Sequence, residues 1–212
     1  MSLISENKKF IFFHLYKCGG NSFRKVITNL NVQTYEWGGV HGLPLEVKEH
    51  FDKNKNNENF NDYYKFTFIR NPFDFLVSTY FYAKSYPNHF MHNDIIQQNM
   101  TMEEFVPYYM NVRTQHQNPS IRPFGSNKVV TFQDWLLDKD GNEIMDYVGK
   151  LETMDEDMKV IFERLNLPLS KAPTINVNPN RDKDYRKYYT EKSKAMVEGA
   201  FHWSLKKFNY TF

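Results

Sequence analysis

The chain has 212 residues, enough for one well-packed domain and short for two, and its 41% hydrophobic and 25% charged residues are a globular rather than a disordered mix. Its 27 basic and 25 acidic residues are interspersed and leave a net charge of +2, so nothing marks a nucleic-acid binder and any anion site must be a local cluster. The single cysteine, Cys18, excludes an intrachain disulfide and disfavours a cysteine-rich zinc site; with no long apolar run near the N-terminus, neither a leader peptide nor a membrane span is read, and the cytoplasm is the expected compartment.

Lys9–Leu15 is a short apolar run ahead of a glycine pair and predicts a buried strand. Phe23, Val26, Ile27 and Leu30 recur at helical spacing, so Asn21–Leu30 reads as the helix that follows. A second short strand is predicted at Asn31–Tyr35, and a helix at Leu43–Phe51, where Pro44 suits the first turn. Asp52–Asn61 lacks a hydrophobic pattern and reads as a surface loop. Tyr64–Ile69 is apolar again; Asn71 then caps, and Pro72 opens, a helix running to about Lys84.

Ser85–Lys128 is the least patterned stretch, with one helix read at Met102–Tyr109. Asp138–Asn142 signals a turn before a strand at Ile144–Leu151, and Thr153 with Glu156 has the spacing of a capping box opening a helix to about Leu165. Lys171–Lys187 is polar and basic, and a last helix covers about Glu191–Lys207. No internal repeat is apparent. Strands alternating with helices predict an α/β fold of three layers, a central mainly parallel sheet flanked by helices, in a single domain over residues 1–212.

The loop Tyr16-Lys17-Cys18-Gly19-Gly20-Asn21-Ser22 lies between a strand and a helix, where exposed amides and the positive helix end suit a phosphate. Lys17 adds a mobile cation and Ser22 a hydroxyl in the first helical turn. A nucleotide triphosphate loop of the GxxxxGK[ST] kind places its lysine after the last glycine; Lys17 precedes both glycines and no GK pair occurs, which disfavours a kinase. A plain tight turn is the bland alternative.

Arg70 stands at a strand end and Ser78 about two turns along the next helix, a rise of about 9 Å from Pro72 that a long arginine spans. A guanidinium and a hydroxyl so placed could clamp one phosphate. Alternatively Arg70 pairs with Asp74, and Ser78 is a surface serine.

Taken together and in order, these elements carry a resemblance. FIFFHLYKCGGNSF resembles the 5′-phosphosulfate loop of the Golgi-type carbohydrate sulfotransferases and their bacterial and viral relatives, where a strand leads into His-x-Pro-Lys-Thr-Gly-Gly-Thr-Ser. FTFIRNPFDFLVSTY resembles their 3′-phosphate motif, Arg-Asn-Pro-x-Asp-x-x-x-Ser. The similarity continues through Gly149-Lys150-Leu151-Glu152 and a basic closing loop, leaving a gap around Ser85–Lys128.

The resemblance implies a P-loop-like sulfotransferase that moves a sulfuryl group from PAPS (adenosine 3′-phosphate 5′-phosphosulfate) to an acceptor hydroxyl on a carbohydrate, releasing PAP, with no metal. Lys17, Gly19, Gly20, Asn21 and Ser22, with Cys18 in the same loop, would hold the 5′-phosphosulfate; Arg70 and Ser78 would hold the 3′-phosphate. Arg181 and Arg186, beside Lys183, would belong to the loop closing over the nucleotide; a solvated charged loop is the alternative. Tyr16, Cys18 and Asn21 depart from the family's Pro, Thr and Thr, so a hydroxyl contact at position 18 does not carry over.

Sulfuryl transfer needs positioning, charge stabilisation and a general base. Lys17 is assigned to the leaving oxygen and His41, in the loop Trp37–Gly42, to the base; a backbone-bonded loop histidine is the alternative for His41. His14 reads as a structural brace for the phosphate loop, His116 and Glu36 as weaker bases, and Glu152 as an organiser of the site. The departures at 16, 18 and 21 motivate a rival reading, a nucleotide-binding module without transferase activity.

Overall fold

The protein is seen in a computed structural model that describes residues 2–37, 43–53, 58–115, 131–173, 175 and 178–212. The elements run β1 (Ser2–Ser5), β2 (Phe10–Phe13), α1 (Gly20–Asn29), β3 (Tyr35–Trp37), α2 (Pro44–Lys53), β4 (Tyr64–Ile69) and α3 (Pro72–Ser85). They continue through α4 (His92–Gln97), α5 (Met102–Gln115), α6 (Phe132–Leu136), β5 (Tyr147–Lys150), α7 (Met154–Arg164), α8 (Glu191–Ala200) and α9 (His202–Lys207). The chain gathers into two compact units, whose described residues are 2–37, 43–53, 58–70, 134–173 and 175 in the first, and 71–115, 131–133 and 178–212 in the second.

The first unit holds the sheet, in the order β3-β1-β2-β4-β5. β2, β4 and β5 are parallel neighbours, while β1 is antiparallel to both β2 and β3, so four of the five strands point one way. Side-chain alternation along β2 splits the core. Phe10 and Phe12, with Phe66 and Phe68 of β4, face Phe23, Val26 and Ile27 of α1 and Met158, Ile161 and Phe162 of α7. Phe12 meets Phe23 at 4.4 Å between ring centroids, and Phe23 meets Phe66 edge-on at 5.2 Å. On the other face Phe13 packs on Phe60 and Trp135, and Phe51 of α2 on Phe60 and Tyr63. Helix, sheet and helix therefore make the predicted three layers here, and each fully buried ring contributes about 1.5–3 kcal/mol.

The second unit is helical and centred on α3, whose Phe73, Phe75, Leu76, Val77, Thr79, Tyr80 and Ala83 are all buried. Phe75 contacts the rings of Tyr109, Phe132 and Phe201. Among the described residues no helix is long and apolar enough to cross a membrane.

Several local expectations are corrected. The strand placed at Asn31–Tyr35 lies at Tyr35–Trp37. β1 carries only two apolar residues and shows no periodicity; it becomes a strand by pairing Leu3 with Phe12 and Glu36. The capping box at Thr153 does not form, because its hydroxyl donates to the Asp157 carboxylate at 2.8 Å, a stronger charge-assisted bond. The last helix breaks at Phe201 (φ −102°, ψ 17°), where the ring is buried against Phe75 and Phe132.

Candidate active site

β2 and β4 are parallel, with Phe13 opposite Thr67, so the loop after Phe13 and the residue after Ile69 leave the sheet at the same edge. The Thr67 hydroxyl donates to the Phe13 carbonyl at 2.7 Å and ties down the start of that loop. The turn is closed by the Leu15 amide on the Phe13 carbonyl and the Cys18 amide on the Leu15 carbonyl. Lys17 (φ 56°) and Gly19 (φ 80°) are both left-handed. A lysine in that region costs about 1–2 kcal/mol, the kind of strain kept at functional turns.

The two glycines are required for different reasons. A Cβ on Gly19 would be strained and would lie 2.6 Å from Leu151 Cδ1; one on Gly20 would lie 2.0 Å from His14 Cδ2. His14 is thus packed over the helix start, with its ring stacked on Phe12 at 6.1 Å, as a brace for the loop.

α1 begins at Gly20 with Gly19 as its N-cap; no side chain caps it and no carboxylate lies in its first turn. Helix geometry leaves the amides of Gly20 and Asn21 without an acceptor inside the helix, at its positive end. Ser22 is buried and its amide is held by the Gly19 carbonyl at 2.9 Å, while Asn21 is exposed. The loop therefore presents backbone amides in an arrangement that can receive an anion, with Lys17, half-buried and 6.0 Å over the Tyr16 ring, in the same turn.

Cys18, within the same loop, is buried. Burial pushes its thiol far above the usual range, and Glu152 adds to the rise, although Arg70 and Lys17 oppose it. The thiol is a packing group rather than a reactive one. Arg70, half-buried, donates from Nη1 to the Lys17 carbonyl at 3.3 Å and so buttresses the strained turn.

In the second unit, Ser78 is half-buried on α3. The alternative partner for Arg70, Asp74, has its carboxylate ion-paired with Arg181. Arg186 stacks over Tyr185 at 4.8 Å and donates to the Phe212 carbonyl at 3.3 Å. Both arginines therefore engage groups of their own unit. Asn71 caps α3 by accepting from the Phe73 amide at 3.1 Å, as predicted. Its amide group also donates to the Thr211 carbonyl at 2.9 Å and to Tyr185 Oη at 3.1 Å, contacts that no local pattern signals.

His41 and His116 lie outside the described residues. Glu36 is ion-paired with Arg24, which draws its carboxylate away from a base's task. Tyr80 donates to the Met100 carbonyl and Tyr108 to Asp94, and Tyr109 is fully buried. Among the described residues no group of three His, Cys, Asp or Glu side chains is placed to hold a metal.

The model of the sulfotransferase family matches residues 1–202. No curated protein sequence matched the chain. Among solved structures the chain is similar to a mouse sulfotransferase, SULT7A1, complexed with PAP; the two are 14% identical, with a TM-score of 0.47, over 92% of this chain and 82% of that one. With a glycine cradle at the sheet edge and a family match over nearly its whole length, the chain belongs to the sulfotransferase family.

Proposed function

We propose that this sulfotransferase moves the sulfuryl group of PAPS to a hydroxyl of a carbohydrate and releases PAP. The observation that carries this reading is the cradle itself. Left-handed Lys17 and Gly19 lead into an α1 N-terminus that no side chain caps, with Arg70 bonded to the Lys17 carbonyl. Its lack of a first-turn carboxylate fits a dianionic group approaching the backbone closely.

Transfer proceeds in line, and charge moves onto the leaving phosphate. The loop amides and Lys17 meet that charge at fixed positions, the arrangement in which electrostatic stabilisation is strongest. Arg70 and Ser78 are assigned to the 3′-phosphate by the motif they complete. His41 is assigned to remove the proton of the acceptor hydroxyl. The carbohydrate acceptor follows from the likeness of the two donor motifs to those of carbohydrate sulfotransferases.

A thermal-shift titration tests the donor: PAP is expected to raise the melting temperature well beyond ATP with Mg²⁺, and equal or absent shifts sink the assignment. Transfer of labelled sulfate from PAPS across a glycan panel tests the acceptor. Donor binding without transfer to any glycan would remove the carbohydrate and favour a binding module.

A further inference from the structure

Between β5 and α7 the chain makes a single tight turn, Leu151–Thr153, and one carboxylate holds it from three sides. Asp157, one turn into α7, accepts from Tyr147 Oη at 2.6 Å, from the Lys150 amide at 2.9 Å and from Thr153 Oγ1 at 2.8 Å. These donors are the start of β5, the end of β5 and the N-cap of α7, so the carboxylate fixes both ends of the turn to each other. Gly149 makes the approach feasible: a Cβ there would lie 2.7 Å from Phe68 Cε1 and 3.1 Å from Asp157 Cβ.

The residues this turn presents are the ones that meet the donor loop. Leu151 Cδ1 and Met154 Sδ would lie 2.6 Å and 3.4 Å from a Cβ at Gly19, the left-handed N-cap of α1. Glu152, the acidic residue the sequence singles out, is exposed and makes itself felt on Cys18 through its charge. The ordering carboxylate is the one five residues later.

We infer that Asp157 is a positioning residue for the donor loop: by locking the β5–α7 turn it holds Leu151 and Met154 as the floor on which Gly19 sets the cradle. The inference rests on the reading of Tyr16–Ser22 as the PAPS loop. Both carboxylate oxygens of Asp157 are spent on the turn, so its effect is expected on donor affinity rather than on the transfer step.

The test is calorimetric PAP binding and steady-state kinetics on wild type, Asp157→Ala and Asp157→Asn at a temperature where all are folded. Asp157→Ala is expected to bind PAP about tenfold more weakly and to raise KM for PAPS to match, while kcat changes little. Asp157→Asn keeps one carbonyl acceptor for the turn and is expected to recover most of the affinity. A folded Asp157→Ala with unchanged PAP affinity, or one that loses kcat and leaves KM alone, overturns the inference. Should that variant fail to fold, Thr153→Ala removes one of the three donors and is expected to weaken PAP by about threefold; no change there overturns it equally. Failure of the wild type to bind PAP would instead overturn the donor-loop reading itself.

Discussion

Two cationic loops of this sulfotransferase are built on opposite principles. The Tyr16–Ser22 loop of the first unit is backbone-built: two left-handed residues, an uncapped helix start and glycines wedged against His14 and Leu151. The Asn178–Tyr189 loop of the second unit is side-chain-built, and its cations engage local partners. Arg181 pairs with Asp74, Lys187 with Asp182 at 2.6 Å, and Arg186 with the Phe212 carbonyl and, at 3.5 Å, Asp184. A cradle of amides has its geometry set before an anion arrives, whereas a paired cation must surrender a partner to receive one. Charge count alone would rank the second loop as the better anion site, and geometry reverses that ranking.

The largest effect that can break this comparison lies at Lys17. Lys17→Ala is expected to lower kcat by about 10²–10³-fold, the cost of losing one preorganised stabiliser, with little change in melting temperature. A loss below tenfold would leave catalysis to the backbone alone. Gly20→Ala comes next: the added methyl meets His14 and is expected to abolish measurable PAP binding and destabilise the fold by about 1–3 kcal/mol. Adding His14→Ala to that variant should restore part of both, and strict additivity in the double-mutant cycle would refute the contact.

In the second loop the effects fall on folding. Arg181→Ala removes the partner of a mostly buried carboxylate and is expected to cost about 2 kcal/mol in denaturant unfolding while PAP affinity holds within about twofold. A folded Arg181→Ala that no longer binds PAP would return this arginine to the nucleotide. Alkaline stability sharpens the first loop. The thiol of Cys18 stays protonated in the folded protein but ionises in the unfolded chain above its ordinary value of 9.0. Tyr189, half-buried and raised chiefly by desolvation, behaves alike above 10.0. The unfolded state then binds fewer protons, so stability is full below pH 9 and falls as pH rises further. Cys18→Ala should flatten the part of that fall that begins near pH 9, read by unfolding at stepped pH. The smallest effect is expected at Arg186, whose side chain is half exposed: Arg186→Ala should shift stability by no more than about 0.5 kcal/mol.

Much of the local structure around the candidate site was legible because its signals are local. An apolar run, two glycines and a helical period name a strand, a loop and a helix within Lys9–Leu30, and Asn71-Pro72 names a helix start, all of which the structure contains. The order of the two motifs was enough to suggest the family. β1 escaped because two apolar residues carry no period, and Thr153 misled because a capping-box spacing says nothing of a competing carboxylate at Asp157.

The amino-acid sequence by itself thus determined the outline of the loop: the strand before it, its glycine pair and lysine, and the helix behind it follow from local backbone preference and spacing. Only the tertiary structure decided what each charge and amide faces. Asn71 finds Thr211 across 140 positions, Arg70 finds the Lys17 carbonyl across 53, and Arg181 finds Asp74 rather than an open loop. Hydrogen bonds and ion pairs act over a few ångströms in space, and no local pattern records which distant residues the packed core will bring within that reach.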